Sequence, residues 1–485
     1  MENKYCFLNI DEHKRLYSME TGKISPFEAG IPLLDISDDT IQEIYYFRWH
    51  NYFRHVKETP LGYVITEFLP PVPWAGKYNT ISCPAGHHFY EGRWIHDSKY
   101  LTDYAKFWVS EDGDPRRYSF WIANSVMEFC RVKGDYALAK EMYEDLKRIY
   151  FEWENNQLME NGLFYQIDDR DGMEFSAGGS GNRPTINSYM YADAVAISEI
   201  AKMLGKDDEA KVYEDKAKIL KEKINTMLWD ADAEFFKTLA EDKNYELADV
   251  REEVGFVPWC FNIPDENKSV AWKFLNDENY FWAPYGPTTT ERNYPDFMKW
   301  FDHECLWNGP SWPFATSQTA TAMGNLLCNY SQNIISKSDY FDLLKMFANE
   351  HYIEKDGERV PFIDENLDPF TGDWIAKKLL EEMENPPGGA GRGEHYNHSS
   401  FCDLVLNGLV GVRTRDDDIL EVNPLFEDDN LEYMCADGIM YRGHSICVMW
   451  DKTGNRYGKG AGLHIYVDGN EATCKQSIEK TEFEL

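Results

Sequence analysis

Residues 190–224 read MYADAVAISEIAKMLGKDDEAKVYEDKAKILKEKI. Met190, Ala194, Ile197, Ala201 and Leu204 step by four, three, four and three, which puts all five on one face of a helix with 3.6 residues per turn. Gly205 offers a C-cap, and Ala210, Tyr213, Ala217, Leu220 and Ile224 form a second stripe running back. The first helix is poor in charge, whereas the second is charged on its outer face. Such a pair has one member covered on both sides and one member facing water on one side.

The pattern recurs in both directions. Upstream, an apolar run over residues 118–130 breaks at Lys133-Gly134-Asp135 and resumes with Leu138, Met142, Leu146 and Ile149 on one face. Downstream, 315–328 is followed by 340–349, and one more apolar helix fits 400–409. Two concentric rings of helices require this alternation, so the expected fold is mainly α, a toroid of helix pairs; a two-layer solenoid would give the same periodicity. After about residue 411 the chain becomes strand-like, with Ile446-Cys447-Val448-Met449-Trp450 and Leu463-His464-Ile465-Tyr466-Val467 ahead of a hairpin signal at Asp468-Gly469. The expected division is an N-terminal extension (1–60) packed on the ring, a catalytic ring (61–412) and a small β-rich C-terminal appendage (413–485).

At 485 residues, 43% hydrophobic and 27% charged, the chain is long enough for a large core and too apolar to be disordered. Its net charge of −35 repels nucleic acid and anionic lipid. No run of eighteen uncharged apolar residues and no apolar leader occur, so neither membrane span nor signal peptide is expected, and the cytoplasm is the expected setting. The ten cysteines show no metal-type spacing, and no disulfide is expected. The 15 tryptophans and 30 tyrosines suit both a core and the apolar faces of sugar rings.

Four long loops between the pairs hold carboxylates beside aromatics, glycines and arginines. The first contains Trp74 and then Tyr90-Glu91-Gly92-Arg93-Trp94-Ile95-His96-Asp97-Ser98. The second runs from Asp168-Asp169-Arg170-Asp171-Gly172-Met173-Glu174-Phe175-Ser176 to Arg183. Glu304-Cys305-Leu306-Trp307-Asn308-Gly309-Pro310-Ser311-Trp312 is the third, and Arg392-Gly393-Glu394-His395-Tyr396-Asn397 the fourth. Aromatic faces hold a sugar ring, Asp and Arg hold its hydroxyls, and two carboxyl groups do acid and base work. His87, His88, His395 and His398 lack a third ligand at a fixed offset, so no catalytic metal is expected. Gly178-Gly179-Ser180-Gly181 lacks the Lys-Ser/Thr of a phosphate loop, and no cofactor is expected.

These loops resemble those of the (α/α)6-barrel glycoside hydrolases around family 63, above all the domain of mannosylglycerate and glucosylglycerate hydrolases. The resemblance covers about residues 85–415. It implies an (α/α)6 toroid, with Asp97 holding sugar hydroxyls in a loop similar to W-D-S. It implies a general acid at Glu174, where the group motif S-G-W-D-x-S has Asp, with Asp171 as the alternative acid. Trp307 to Trp312 is similar to W-R-G-P-x-W with Asn308 in place of Arg, and Glu394, two residues before Tyr396, becomes the general base. Trp74, Arg93, Trp94, Asp97, Arg183, Trp307, Asn308, Gly309, Trp312 and Tyr396 are the expected substrate contacts. The function this implies is an inverting, exo-acting glycosidase on a small carbohydrate, α-linked glucose or mannose being the family-level substrate. A sugar epimerase using His87, His88 and His395 and a non-catalytic carbohydrate binder are the alternatives.

Overall fold

The computed structural model describes residues 4–20 and 22–485. Among them, six outer segments (Asp39–His55, Lys99–Val109, Tyr143–Gln157, Asp207–Met227, Glu266–Phe274 and Lys337–Glu350) alternate along the chain with six inner ones (Ala85–Gly92, Ile122–Lys133, Pro184–Met203, Glu253–Phe261, Pro313–Asn329 and Leu404–Leu409). Each inner segment packs on the next. The ring closes where the buried Glu91 carboxylate, on the first inner helix, accepts the backbone N–H groups of Phe401 (3.0 Å), Cys402 (3.0 Å) and Asp403 (2.8 Å) at the last. The closed toroid, not the solenoid, is therefore the fold.

The helix pair at 190–224 shows why the layers separate. Pro184–Met203 is buried along nearly its whole circumference, while Asp207–Met227 buries its stripe of Ala210, Tyr213, Ala217, Leu220 and Ile224 and little else. Burying a side chain such as Ile197 or Ile224 contributes about 1.5–3 kcal/mol, so the pattern of apolar residues fixes which helix goes inside. Close approach matters too: a Cβ on Gly86 would lie 2.1 Å from the Trp121 ring, so only glycine lets these inner helices touch.

Two inner helices begin with proline at their first turn, Pro184 after Arg183 and Pro313 after Trp312. Proline is preorganised there and lacks the N–H that would go unpaired, so each helix starts abruptly against its loop. The axis of the ring accordingly has three levels. At the helix starts lies one cavity, and at the helix ends a second of about 350 Å³, lined by Arg93, Glu128, Arg131, Asn325 and Arg413 among others. Between them His87, Trp121, Tyr189, Phe261 and Gln318 surround a void of only about 10 Å³. Arginines at the helix ends match the negative ends of the helix dipoles.

The C-terminal appendage is a five-stranded antiparallel sheet in the order Leu33–Ile36, Tyr433–Tyr441, His444–Asp451, Gly462–Val467, Asn470–Lys475, with the hairpin at Asp468-Gly469 joining the last two. Its edge strand comes from the N-terminal segment. The same junction is fastened by Asp437, whose carboxylate accepts the N–H groups of Cys6 (2.9 Å), Phe7 (2.7 Å) and Leu8 (2.8 Å). No helix among the described residues is long and apolar enough to cross a membrane.

Candidate active site

The cavity at the helix starts has a volume of about 290 Å³ and is lined by Glu67, Trp74, Tyr118, Glu174, Glu304, Cys305, Trp307, Trp312, Glu365, Arg392, Tyr396 and His398, among others. The Trp307 and Trp312 rings are stacked, with centroids 4.4 Å apart and planes 16° apart. Trp74 lies under the Arg392 guanidinium at 4.9 Å. Flat rings and carboxylates around one small space match the two sides of a sugar, its apolar C–H face and its hydroxyls.

Glu174 is aimed into this space by its own backbone. Its carbonyl accepts the Trp307 N–H at 3.0 Å, and the next residue, Phe175, holds a φ of +59°, an uncommon conformation for an aromatic residue. Phe175 stacks on Phe301 at 5.1 Å, which holds the turn. Burial pushes the Glu174 carboxyl up to about 8, helped by the negative charges of Asp169, Glu365 and Glu67. A carboxyl group with that value carries a proton at neutral pH.

Glu365 faces the same cavity. Its Oε1 accepts from Arg392 Nε at 3.1 Å and its Oε2 from the Cys305 thiol at 2.7 Å. Arg392 also binds Glu304. Glu67 is the fourth glutamate here. Its Oε1 accepts from the Tyr396 hydroxyl at 2.7 Å, and burial raises its carboxyl to about 8. Neither Glu67 nor Glu365 was among the residues singled out in the sequence. Each lies outside the quoted loops, and only the ring's closure brings them to one wall.

Of the expected site residues, Glu174, Trp74, Trp307, Trp312 and Tyr396 line the cavity. The others are elsewhere. Glu394 is half exposed and paired with Lys377 at 2.9 Å, outside the cavity. Residues 391–396 form turns, with Glu394 N–H bonded to the Gly391 carbonyl and Tyr396 N–H to that of Gly393; Arg392 and Tyr396 therefore point inward while Glu394 does not. Arg93 is buried between Asp403 (2.8 Å) and Glu128 (2.5 Å), at the other end of the axis. Trp94 is fully buried and donates to Asp403 at 2.6 Å. Asp97 is only partly exposed and is paired with Lys99 at 3.0 Å. The Asn308 amide holds the carbonyls of Asp296 (3.2 Å) and Lys299 (2.8 Å), shaping the loop from beneath. Gly309, at φ +146°, leaves room for Met298, which a Cβ there would meet at 2.6 Å.

Asp171 is buried behind the cavity wall, where its carboxylate takes hydrogen bonds from Ser119 (2.5 Å), Arg183 Nε (2.6 Å) and Thr185. The Arg183 side chain is fully buried as well. Removing one partner of such a pair strands the other charge, at a cost of about 3–5 kcal/mol. Asp171→Ala is therefore expected to lower the thermal midpoint markedly, and an unchanged melting curve would contradict this role.

Residues 77–399 match the model of the mannosylglycerate hydrolase MGH1-like glycoside hydrolase domain. The chain belongs to this family. The MGH1-like domain is followed at 412–474 by a match to the C-terminal domain of glycosyl hydrolase family 65. A solved structure described as a sialidase is 38% identical, with a TM-score of 0.90 over 99% of this chain and 45% of its own length. An α-L-rhamnosidase from Dictyoglumus thermophilum (TM-score 0.52, 12% identity, 90% of this chain and 44% of that one) and a bacterial glucoamylase complexed with acarbose (0.52, 13%, 75% and 55%) share the fold. An uncharacterized protein of Borreliella burgdorferi is 30% identical over 160 residues, 31% of this chain and 32% of that protein. The chain thus spans under half the length of the sialidase-described chain and about a third of this relative.

Proposed function

We propose that this chain is an inverting glycosidase in which Glu174 protonates the leaving oxygen and Glu365, in place of Glu394, activates the attacking water. The observation that carries this is the contrast between two glutamates in one cavity: Glu174 is buried without a cationic partner and its carboxyl rises to about 8, whereas Glu365 is gripped by the Arg392 guanidinium. A buried carboxyl that holds its proton and a second carboxyl oriented by a guanidinium in the same cavity are the two groups that acid and base work needs. A cavity of about 290 Å³, at the small end of the roughly 300–1,000 Å³ typical of ligand pockets, favours one terminal sugar and hence exo-action. The expected cytoplasmic setting and the small carbohydrate substrate belong to the same proposal.

The sugar is neutral in this reading. Glu67 and Glu174 hold their protons at neutral pH, and Glu304 and Glu365 share the buried Arg392 guanidinium, so among the described residues no buried arginine of the cavity is left to pair with the carboxylate of an acidic sugar such as sialic acid. The relative described as a sialidase has more than half its length outside the match.

The test is hydrolysis of a panel of neutral aryl-glycosides and disaccharides followed by proton NMR. The expected first product is the anomer opposite to that of the substrate. First release of the retained anomer would overturn the inverting assignment, and epimerisation of free sugar without glycoside cleavage would favour the isomerase reading.

A further inference from the structure

The cavity wall holds a second chemistry that hydrolysis does not use. One ligand atom each from His303, Glu304 and Cys305 lies within 4.8 Å of the others, and Cys305 Sγ is 2.7 Å from Glu365 Oε2. Three side chains bring one nitrogen, one sulfur and one carboxylate to a single spot facing the cavity, and the Glu365 carboxylate stands against the sulfur. We propose that this wall is an inhibitory binding site for a divalent cation of the zinc type, with Cys305, His303, Glu304 and Glu365 as ligands.

Ligand type selects the metal. Thiolate with imidazole favours zinc and its borderline neighbours over magnesium or calcium, which take oxygen ligands. Four ligands suit a tetrahedral ion with bonds of about 2.0–2.3 Å; closing round it asks His303, Glu304 and Cys305 to draw together and Glu365 to part slightly from the sulfur. The scaffold is partly set already. His303 Nδ1 is held against the Cys305 backbone, 3.0 Å from its nitrogen and 3.2 Å from its carbonyl oxygen, and Arg392 fixes both carboxylates by one oxygen each.

Charge also closes. Arg392, whose Nη2 is 4.0 Å from the sulfur, opposes a cation, but on binding the Cys305 thiol gives its proton to solvent as the metal–sulfur bond forms. One thiolate and two carboxylates then face one guanidinium and one dication, and the group is neutral. The inhibitory consequence rests on the role proposed for Glu365: as a ligand, its carboxylate no longer accepts a proton from water. Binding itself does not rest on that role.

The test is a titration of the full-length, reduced chain with Co²⁺, whose thiolate charge-transfer band reports a sulfur ligand without any substrate. His464, Glu471 and Cys474 form another group of this kind on the C-terminal sheet, so Cys474→Ser is the control. The band is expected in the wild type and in Cys474→Ser, lost when Cys305→Ser is added to Cys474→Ser, and bleached in Cys474→Ser by stoichiometric Zn²⁺. His303→Ala, which keeps the thiol, is expected to weaken cobalt binding at least about tenfold, the loss that even an outer partner of a metal ligand can cause. Absence of the band from Cys474→Ser, or its survival in the Cys305→Ser/Cys474→Ser double variant, overturns the proposal. Because the readout is optical, either result leaves the glycosidase reading to its own test.

Discussion

Glu174→Gln is expected to lower kcat by about 10²–10⁴-fold, the range contributed by a positioned proton donor, while leaving KM for a glycoside nearly unchanged. The amide keeps the shape and hydrogen-bonding capacity of the side chain and loses only the proton. The wild-type pH profile carries the sign of the shift. A carboxyl group at about 8 is protonated below that pH, so activity holds across the neutral range and falls as pH rises through about 8. Glu67, also at about 8, is the one rival for that alkaline limb among the cavity glutamates. In Glu67→Gln the limb is expected to stay. Were it to vanish there and persist in the residual activity of Glu174→Gln, the acid would have to be reassigned.

Glu365→Gln is expected to cost a comparable 10²–10⁴-fold, and Glu394→Gln little, because that carboxylate lies outside the cavity and its pairing with Lys377 is worth only about 0–1 kcal/mol of stability. A glutamine at 365 still occupies the space between Arg392 and Cys305, so substrate binding, followed by tryptophan fluorescence, is expected to survive while turnover does not. Retained turnover in Glu365→Gln with loss in Glu394→Gln would return the base to Glu394. Loss of both binding and turnover at 365 would make it a structural prop of the wall.

Periodicity carried the ring. The pair at 190–224 spaces its apolar residues without interruption, and the observed helices, Pro184–Met203 and Asp207–Met227, extend that reading by a few residues at each end. The fourth pair was invisible for a physical reason. Glu253–Phe261 and Glu266–Phe274 are runs of 3-10 helix, the first with Pro258 inside it, and such segments lack the 3.6 repeat. The stretch 1–60, read as an extension packed on the ring, contains Asp39–His55 with thirteen buried residues; a helix covered on so many sides shows no amphipathic stripe to find.

The site was legible where chemistry and backbone coincide, as at Trp307 and Trp312, and misleading where a motif recorded types without directions. Glu394 sits between two residues that do reach the cavity, and only the turns at 391–396 reveal that it faces away. Glu365 follows a hairpin and precedes a helix, in a stretch, Asp364-Glu365-Asn366, with no aromatic or arginine beside it. Its partners, Arg392 and Cys305, come from loops 27 and 60 residues distant. Arg93 and Trp94 serve the closure of the ring through Asp403, a role that adjacency in sequence cannot distinguish from holding a sugar.

The stacked levels along the axis impose an order of traffic. The packed layer around His87, Trp121 and Gln318 leaves about 10 Å³, room for at most a single water, so nothing the size of a sugar passes through the floor. The chamber above it is a cul-de-sac: whatever arrives last must leave first. Under the proposed exo-action a terminal sugar enters head first, the group it was attached to stands in the doorway until it departs, and the freed sugar can withdraw only afterwards by the way it came. A full doorway therefore traps the sugar behind it, and accumulated sugar shuts out the next substrate.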